Sequence, residues 1–489
     1  MEEIDEKRFI SRTGRLHLDG LESAQVRCDI EFPLRDEGEL NVTLYWSSKR
    51  HLARTGFGSF EFDTKVDIKG DWAHERVRLI DLHIYETSFT HLNPDSGECT
   101  AKASAYAFEH CHFRGNGEAT TKTHLSLLLT PNRMLEPFRI IEQSYKGTIK
   151  QEPGKAISVK VPILGKIQFD FHYDWEDSKD HRVRQSRRYL VANLRSKFPV
   201  HDSEGLMREV VTPIEDLLLL TGFASRTPMR CAGWLAGSSL GHVEYYKRDV
   251  ALPPGKQRHR TITNGGLLEL SDFEAFLNHT IVRFQNSSLK REIRHAFYAL
   301  ENCVEQTIEQ KFVSLFSAFE GLVDGLIGDH AKQRFAKEKG LRDTTRDRIL
   351  HALAEWVDGG EISEGIRNQF AKQVKGVQSI SQSERYKLLG QVVAFNPEDL
   401  WPLIGQGETM SLYRIRNWIV HGSSMDDRHF PALVIADHHI EWHLERLICA
   451  ILDWPLEKTD LSPNALRSYW LPDTVNWKGA AQDFHTKGD

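Results

Sequence analysis

The sequence predicts an α+β protein, with an N-terminal β-rich region (antiparallel and sandwich-like) followed by a C-terminal α-helical bundle. Two observations carry this. Before residue 250, short runs alternate apolar and polar residues with the period of two expected of half-buried strands. After residue 260 the apolar residues recur every three or four positions, which is the period of an amphipathic helix. Between the two lies "PPGKQRHR", residues 253–260, whose prolines, glycine and dense positive charge suit a linker. The expected division is 1–252 for the β-rich region, 261–455 for the bundle and 456–489 for a tail packed back on it.

The strand candidates are "QVRCDIEF", "ELNVTLYW", "FEFDTKVDI", "VRLIDLHIYE", "ISVKVPI" and "KIQFDFHYDW", separated by turn clusters such as "RDEGE", "NPDSGE" and "RGNGE". Many short strands without long helices between them point to a sandwich or a strongly curved sheet. One amphipathic helix, "SEGLMREVVTPIEDLLLLTGF", precedes a further strand, "HVEYYKRDVAL". In the second half, "SDFEAFLNHTIVRF" has Ser271 and Glu274 spaced as a capping box. The run "REIRHAFYALENCVEQTIEQKFVSLFSAFEGLVDGLI" is helical in period but longer than an ordinary helix, so it requires a break near Glu305 or a kink. Further helices are expected at "DRILHALAEWV", "SLYRIRNWIVHG" and "DHHIEWHLERLICAILDW".

Composition narrows the class. The 489 residues, 40% hydrophobic and 27% charged, describe a globular chain able to bury more than one core. A formal charge of -6 argues against indiscriminate coating of nucleic acid, though not against a local basic groove. Six cysteines without a close CxxC pair fit free thiols in a reducing cytoplasm. The acidic start "MEEIDEKRFI" is no secretory signal, and no run of about 18 apolar residues offers a membrane span.

Several motifs invite chemistry and also have an ordinary explanation. "GSSLG" fits GxSxG around Ser239, but a nucleophile elbow needs a helix after the serine and "HVEYYKRDV" alternates like a strand. "HCH" at residues 110–112, with His91 and Cys99 upstream, offers metal ligands at irregular spacing. On a strand His110 and His112 share a face that Cys111 does not. "HHIEWH" sets His439 and His443 four residues apart on one helical face without the HExxH pattern. The basic run "AKQRFAKEKGLRDTTRDR" reads as a solvated helix end or as a phosphate-binding patch.

The stretch "RIRNWIVHG", residues 414–422, is the most informative. On a helix, Leu412, Ile415 and Ile419 share a core-facing arc. Arg414, Asn417 and His421 cluster on the opposite side, and Arg416 lies at the margin beside Val420. Gly422 is placed to stop the helix. A histidine at a helix C-terminus sits near unsatisfied carbonyls, and histidine readily exchanges protons near neutral pH. Arginine offers a planar fork suited to phosphate oxygens. RNA cleavage by internal attack needs two proton transfers and charge stabilisation at phosphorus, for which these groups suffice.

"RNWIVH" resembles the arginine–polar–X–X–X–histidine signature of the HEPN ribonuclease superfamily. "EQKFVSLFSAFEGLVD", followed about a hundred residues later by "SLYRIRNWIVHG", resembles the HEPN domain of ApeA-like bacterial antiphage proteins, in which a β-rich region comes first. The resemblance covers roughly residues 290–455. It implies a metal-independent endoribonuclease without a cofactor, working as a homodimer on RNA such as tRNA and held in check until a phage-derived trigger arrives. Carried over by position, Arg416 stabilises the scissile phosphate, His421 acts as general acid or base, and Asn417 orients the phosphate or the histidine. Glu320 matches an acidic position in the preceding helix, and Arg414, the arginine in helical phase with His421, competes with Arg416. The alternative is a non-catalytic HEPN module for dimerisation or RNA binding, joined to a ligand-binding β-sandwich.

Overall fold

A computed structural model describes residues 9–18, 24–31, 40–48, 56–68, 71–93, 96–114, 123–130, 132, 134–135, 138–143, 149–153, 157–162, 164–177, 184–196, 205, 207–238, 241–247, 266–302, 306–337, 339–375, 381–405, 410–421, 427–467 and 477–484. The chain forms two units, Met1–Gln285 and Asn286–Asp489. The proposed linker at 253–260 lies outside the described residues, as do Gly422 and Ser239.

The first unit is built on antiparallel strands: β1 (Phe9–Leu18), β2 (Ala24–Glu31), β3 (Leu40–Ser48), β4 (Gly56–Ile68), β5 (Asp71–Asn93) and β6 (Ser96–Arg114). Their pairing closes on itself. β6 pairs with β3 and β5, β3 with β2, β2 with β1, β1 with β4, and β4 with β5. The result is a six-stranded barrel, which is the strongly curved antiparallel sheet of the two expected alternatives and not the sandwich. Its interior is the alternate residues of those strands, among them Leu16, Cys28, Val42, Phe60, Leu79 and Ala103, all buried in one cluster. The closing seam is short, Arg15–Leu18 of β1 against Gly58–Glu61 of β4.

The 19-residue β6 is long enough to serve two neighbours in succession on one side. Its Gly97–Ala105 half pairs with β3 and its Ala107–Phe113 half with β14 (Gly241–Lys247). From β14 the sheet continues through β13 (Cys231–Ser238), β7 (Thr123–Leu129), β12 (Arg184–Ser196) and β11 (Gly165–Asp177) to β10 (Ser158–Val161), while β8 (Phe138–Gln143) and β9 (Ile149–Pro153) form a separate hairpin. Helix α1 (Thr212–Ser225) follows a short π-turn and is buried on almost every side, as its "LLLL" run requires.

Helix α2 (Leu270–Asn286) departs from the expected division, because it belongs to the β-rich unit except for its last residue. Asn278 explains why. Its Oδ1 accepts from the Lys160 N–H at 2.8 Å and its Nδ2 donates to the Ser158 carbonyl at 3.1 Å, so the amide serves as a one-residue partner for strand β10. The helix starts at Leu270, which puts Ser271 inside the first turn rather than at the cap.

The second unit is helical: α3 (Lys290–Asn302), α4 (Ile308–Lys337), α5 (Lys339–Asp358), α6 (Glu364–Lys375), α7 (Gln382–Val392), α8 (Leu412–Val420) and α9 (Phe430–Ile451), then α10 (Pro463–Arg467) and α11 (Trp477–Asp483). The long helical run does break, between Asn302 and Ile308. Thr307 and Gln310 then cap α4 reciprocally. Helices α6 and α7 were not expected from the sequence. The tail belongs to this unit: Trp477 stacks near Trp401, and Phe484 packs against Trp401, Trp418 and His429. Among the described residues no helix is long and apolar enough to cross a membrane.

Candidate active site

Helix α8 is positioned from its N-terminal end. Ser411 caps it by accepting from the Arg414 N–H. The orphan N–H groups of Leu412 and Tyr413 donate to the carbonyls of Pro402 and Leu403, each at 3.1 Å. That loop is fixed in turn by two buried histidines of α9. His439 Nδ1 accepts from the Trp401 N–H at 3.0 Å, and His443 Nε2 donates to the Trp401 carbonyl at 2.8 Å. The pair singled out as metal-like therefore clamps a backbone turn that starts the candidate helix. Burial lowers the His443 pKa to about 4; the bond to Trp401 opposes this, while nearby Arg446 adds to it.

Along α8, Leu412 and Ile415 are buried as phase predicts. Ile419 is only half-buried, because it lines a groove instead of the core. Arg416, not Arg414, is the arginine turned toward α4. Its Nη2 lies 3.9 Å from Glu320 Oε2, and its Nη1 donates to Asn417 Oδ1 at 3.0 Å. Arg416 Nε is shielded from solvent and has no hydrogen-bond partner among the described residues. Arg414 is exposed.

Asn417 thus does not reach the His421 ring. What links the two is backbone, the His421 N–H donating to the Asn417 carbonyl at 3.0 Å as the helix closes. His421 itself is exposed at the C-cap. The structure brings Arg416, Asn417 and Glu320 together and leaves His421 at the edge.

Helix α7 adds residues that the sequence reading missed. Gln382 Nε2 donates to Glu320 Oε1 at 3.4 Å, and Arg385 pairs with Asp324 one turn further along α4. Tyr386 buries its hydroxyl nearby without a partner among the described residues; burial, then the charge of Glu320, raises its pKa. Burial likewise raises the Glu320 pKa, with Arg416 opposing it and Asp324 adding to it. The available signal was "SQSE", whose Ser381–Glu384 capping box marks the start of α7.

The other motifs resolve as structure. "GSSLG" spans a hairpin whose strands pair up to Ser238 opposite Gly241, so the helix a nucleophile elbow needs is replaced by β14. His110 bonds Glu75 at 3.0 Å, His112 stacks on His242, and Cys111 is buried. Among the described residues no three His, Cys, Asp or Glu side chains are arranged to hold a metal ion. Arg346 of the basic run pairs with Asp343 and Asp347, as a solvated helix face does. Of the six cysteines, five are buried free thiols, and Cys303 lies outside the described residues.

Comparisons with protein-family models, with curated proteins and with solved structures found no match to this chain. The site is therefore argued from its own residues and from the motif on α8.

Proposed function

We propose that this chain is a HEPN-type endoribonuclease, metal-independent and acting in antiphage defence, which cuts cellular RNA such as tRNA under control of its β-rich unit. The observation that carries the reading is Arg416: a half-buried guanidinium, steadied by Glu320 and Asn417, with an unpartnered Nε. A cation held this way keeps Nη N–H donors beyond those two contacts, and these, rather than the shielded Nε, suit a phosphate oxygen.

In this scheme the RNA 2′-oxygen bonds to phosphorus while the bond from phosphorus to the 5′-oxygen breaks. One histidine removes the 2′-hydroxyl proton and another protonates the leaving oxygen. Arg416 stabilises the charge on the phosphoryl oxygens, and the amide nitrogen of Asn417 remains a donor for one of them. A single protomer offers one His421, so two copies of α8 meeting in a homodimer supply both. Expression of wild type, Arg416→Ala and His421→Ala in cells tests this through growth and RNA integrity. Only the wild type should slow growth and fragment RNA; equal toxicity or intact RNA throughout refutes it.

One observation favours a second reading, RNA binding without cleavage. Among the described residues no side chain is hydrogen-bonded to the His421 ring, so none of them fixes its tautomer. On that reading His421→Ala leaves the cellular effect unchanged.

A further inference from the structure

A groove of about 910 Å³ lies between α3, α4 and the last turn of α8. Its walls carry Tyr298 and Asn302 from α3 and Val420 from α8; Gln306, Ser314 and Ser317 line it from the junction and from α4. Helical phase sets the groove beside the arginine site. On α4, Val313, Ser317 and Glu320 fall within about 60° of one another, so the face that floors the groove ends at the acid beside Arg416. On α8, Val420 is one turn beyond Arg416 on the same side.

The lining chemistry is wrong for a phosphate and right for a base. The groove's surface is mostly apolar, with amides and hydroxyls supplying most of the polar groups beside His295 and Glu309; Lys and Arg are absent from its lining among the described residues, and Tyr298, 42% exposed, shares the groove with the exposed Val420. Unpaired RNA bases are held by aromatic stacking and by hydrogen bonds to their edges. Gln306 supplies the independent sign of a ligand. Its Oε1 is shielded from water and has no hydrogen-bond partner among the described residues, a cost that a base N–H donor relieves once the side chain turns into the groove.

We propose that this groove holds an unpaired nucleobase next to the phosphate bound by Arg416, so that the protein selects single-stranded RNA by base. This rests on the ribonuclease reading and adds the substrate class to it. An RNA strand along α4 places one nucleotide's base between Tyr298 and Val420, and a neighbouring phosphate about 10 Å away at Arg416.

The test is binding of fluorescent single-stranded oligoribonucleotides of each base to the full chain, together with its mass in solution. Tyr298→Ala should weaken binding between about 5- and 100-fold, and Tyr298→Phe should restore it. Gln306→Leu should flatten the differences among the four bases with less effect on the tightest affinity. An abasic nucleotide should weaken wild type and leave Tyr298→Ala unaffected. If Arg416→Ala weakens binding while the groove variants leave affinity and base preference intact, the groove is overturned and the ribonuclease reading stands. If the groove variants lower the mass to a monomer with RNA affinity unchanged, a second copy of the chain occupies the groove and the proposal fails. If wild type binds no RNA, the ribonuclease reading falls and the groove with it.

Discussion

His443 makes the helical unit acid-sensitive in a predictable window. Its ring is fully buried, and burial holds its pKa near 4, against the usual 6.5. Between those values the unfolded chain binds a proton that the folded chain excludes. Stability must therefore fall as pH drops from about 6.5 toward about 4, and the loss from this group levels off below that. With those two pKa values the loss between pH 7 and pH 5 is about 2 kcal/mol. The Arg446 guanidinium on α9 and the Asp399 carboxylate on the loop before α8 also act on the ring, so a matched variant is needed. His443→Gln removes the titration while its amide nitrogen can still reach the Trp401 carbonyl. Denaturant unfolding followed by tryptophan fluorescence at pH 7 and pH 5 should show wild type losing about 2 kcal/mol more than His443→Gln. Equal losses would refute the claim that a buried neutral histidine fastens the turn from which α8 starts.

Two further outcomes follow from the packing. Lys311 bonds Asp437 at 2.5 Å and Glu441 at 3.4 Å, and both acids are almost wholly buried. Lys311→Met should cost about 3–5 kcal/mol by removing the cation that two buried carboxylates share, and adding Asp437→Asn with Glu441→Gln should recover part of it; thermal unfolding measures both. Phe484 packs on Trp418 and His429, so Phe484→Ala should destabilise the unit by about 3 kcal/mol and speed amide hydrogen exchange along α8.

The strands were legible because period-two alternation reports which face of each is buried. Barrel closure was not, since it depends on β6 pairing with both β3 and β5 and on β1 meeting β4, a matter of register between distant segments. The membership of α2 was hidden for a similar reason: Asn278 joins it to β10 across more than a hundred residues. Helices α6 and α7 are short and polar; Ile366, Phe370 and Val374 do recur at helical spacing in the first, and Ser381 and Glu384 marked the second. At the site, helical phase found Leu412 and Ile415 but could not rank Arg416 against Arg414. That ranking depends on α4 and α7, which bring Glu320 and Gln382 to one side of α8. The phase argument also paired Asn417 with His421, whereas the amide's nearer partner is Arg416.

The most direct test of the central claim reads the ends of RNA made in cells expressing wild type, Arg416→Ala or His421→Ala. Wild type should produce discrete new 3′ termini bearing 2′,3′-cyclic phosphate, and both variants should lack them. The same termini from His421→Ala, or none from wild type, would contradict the account.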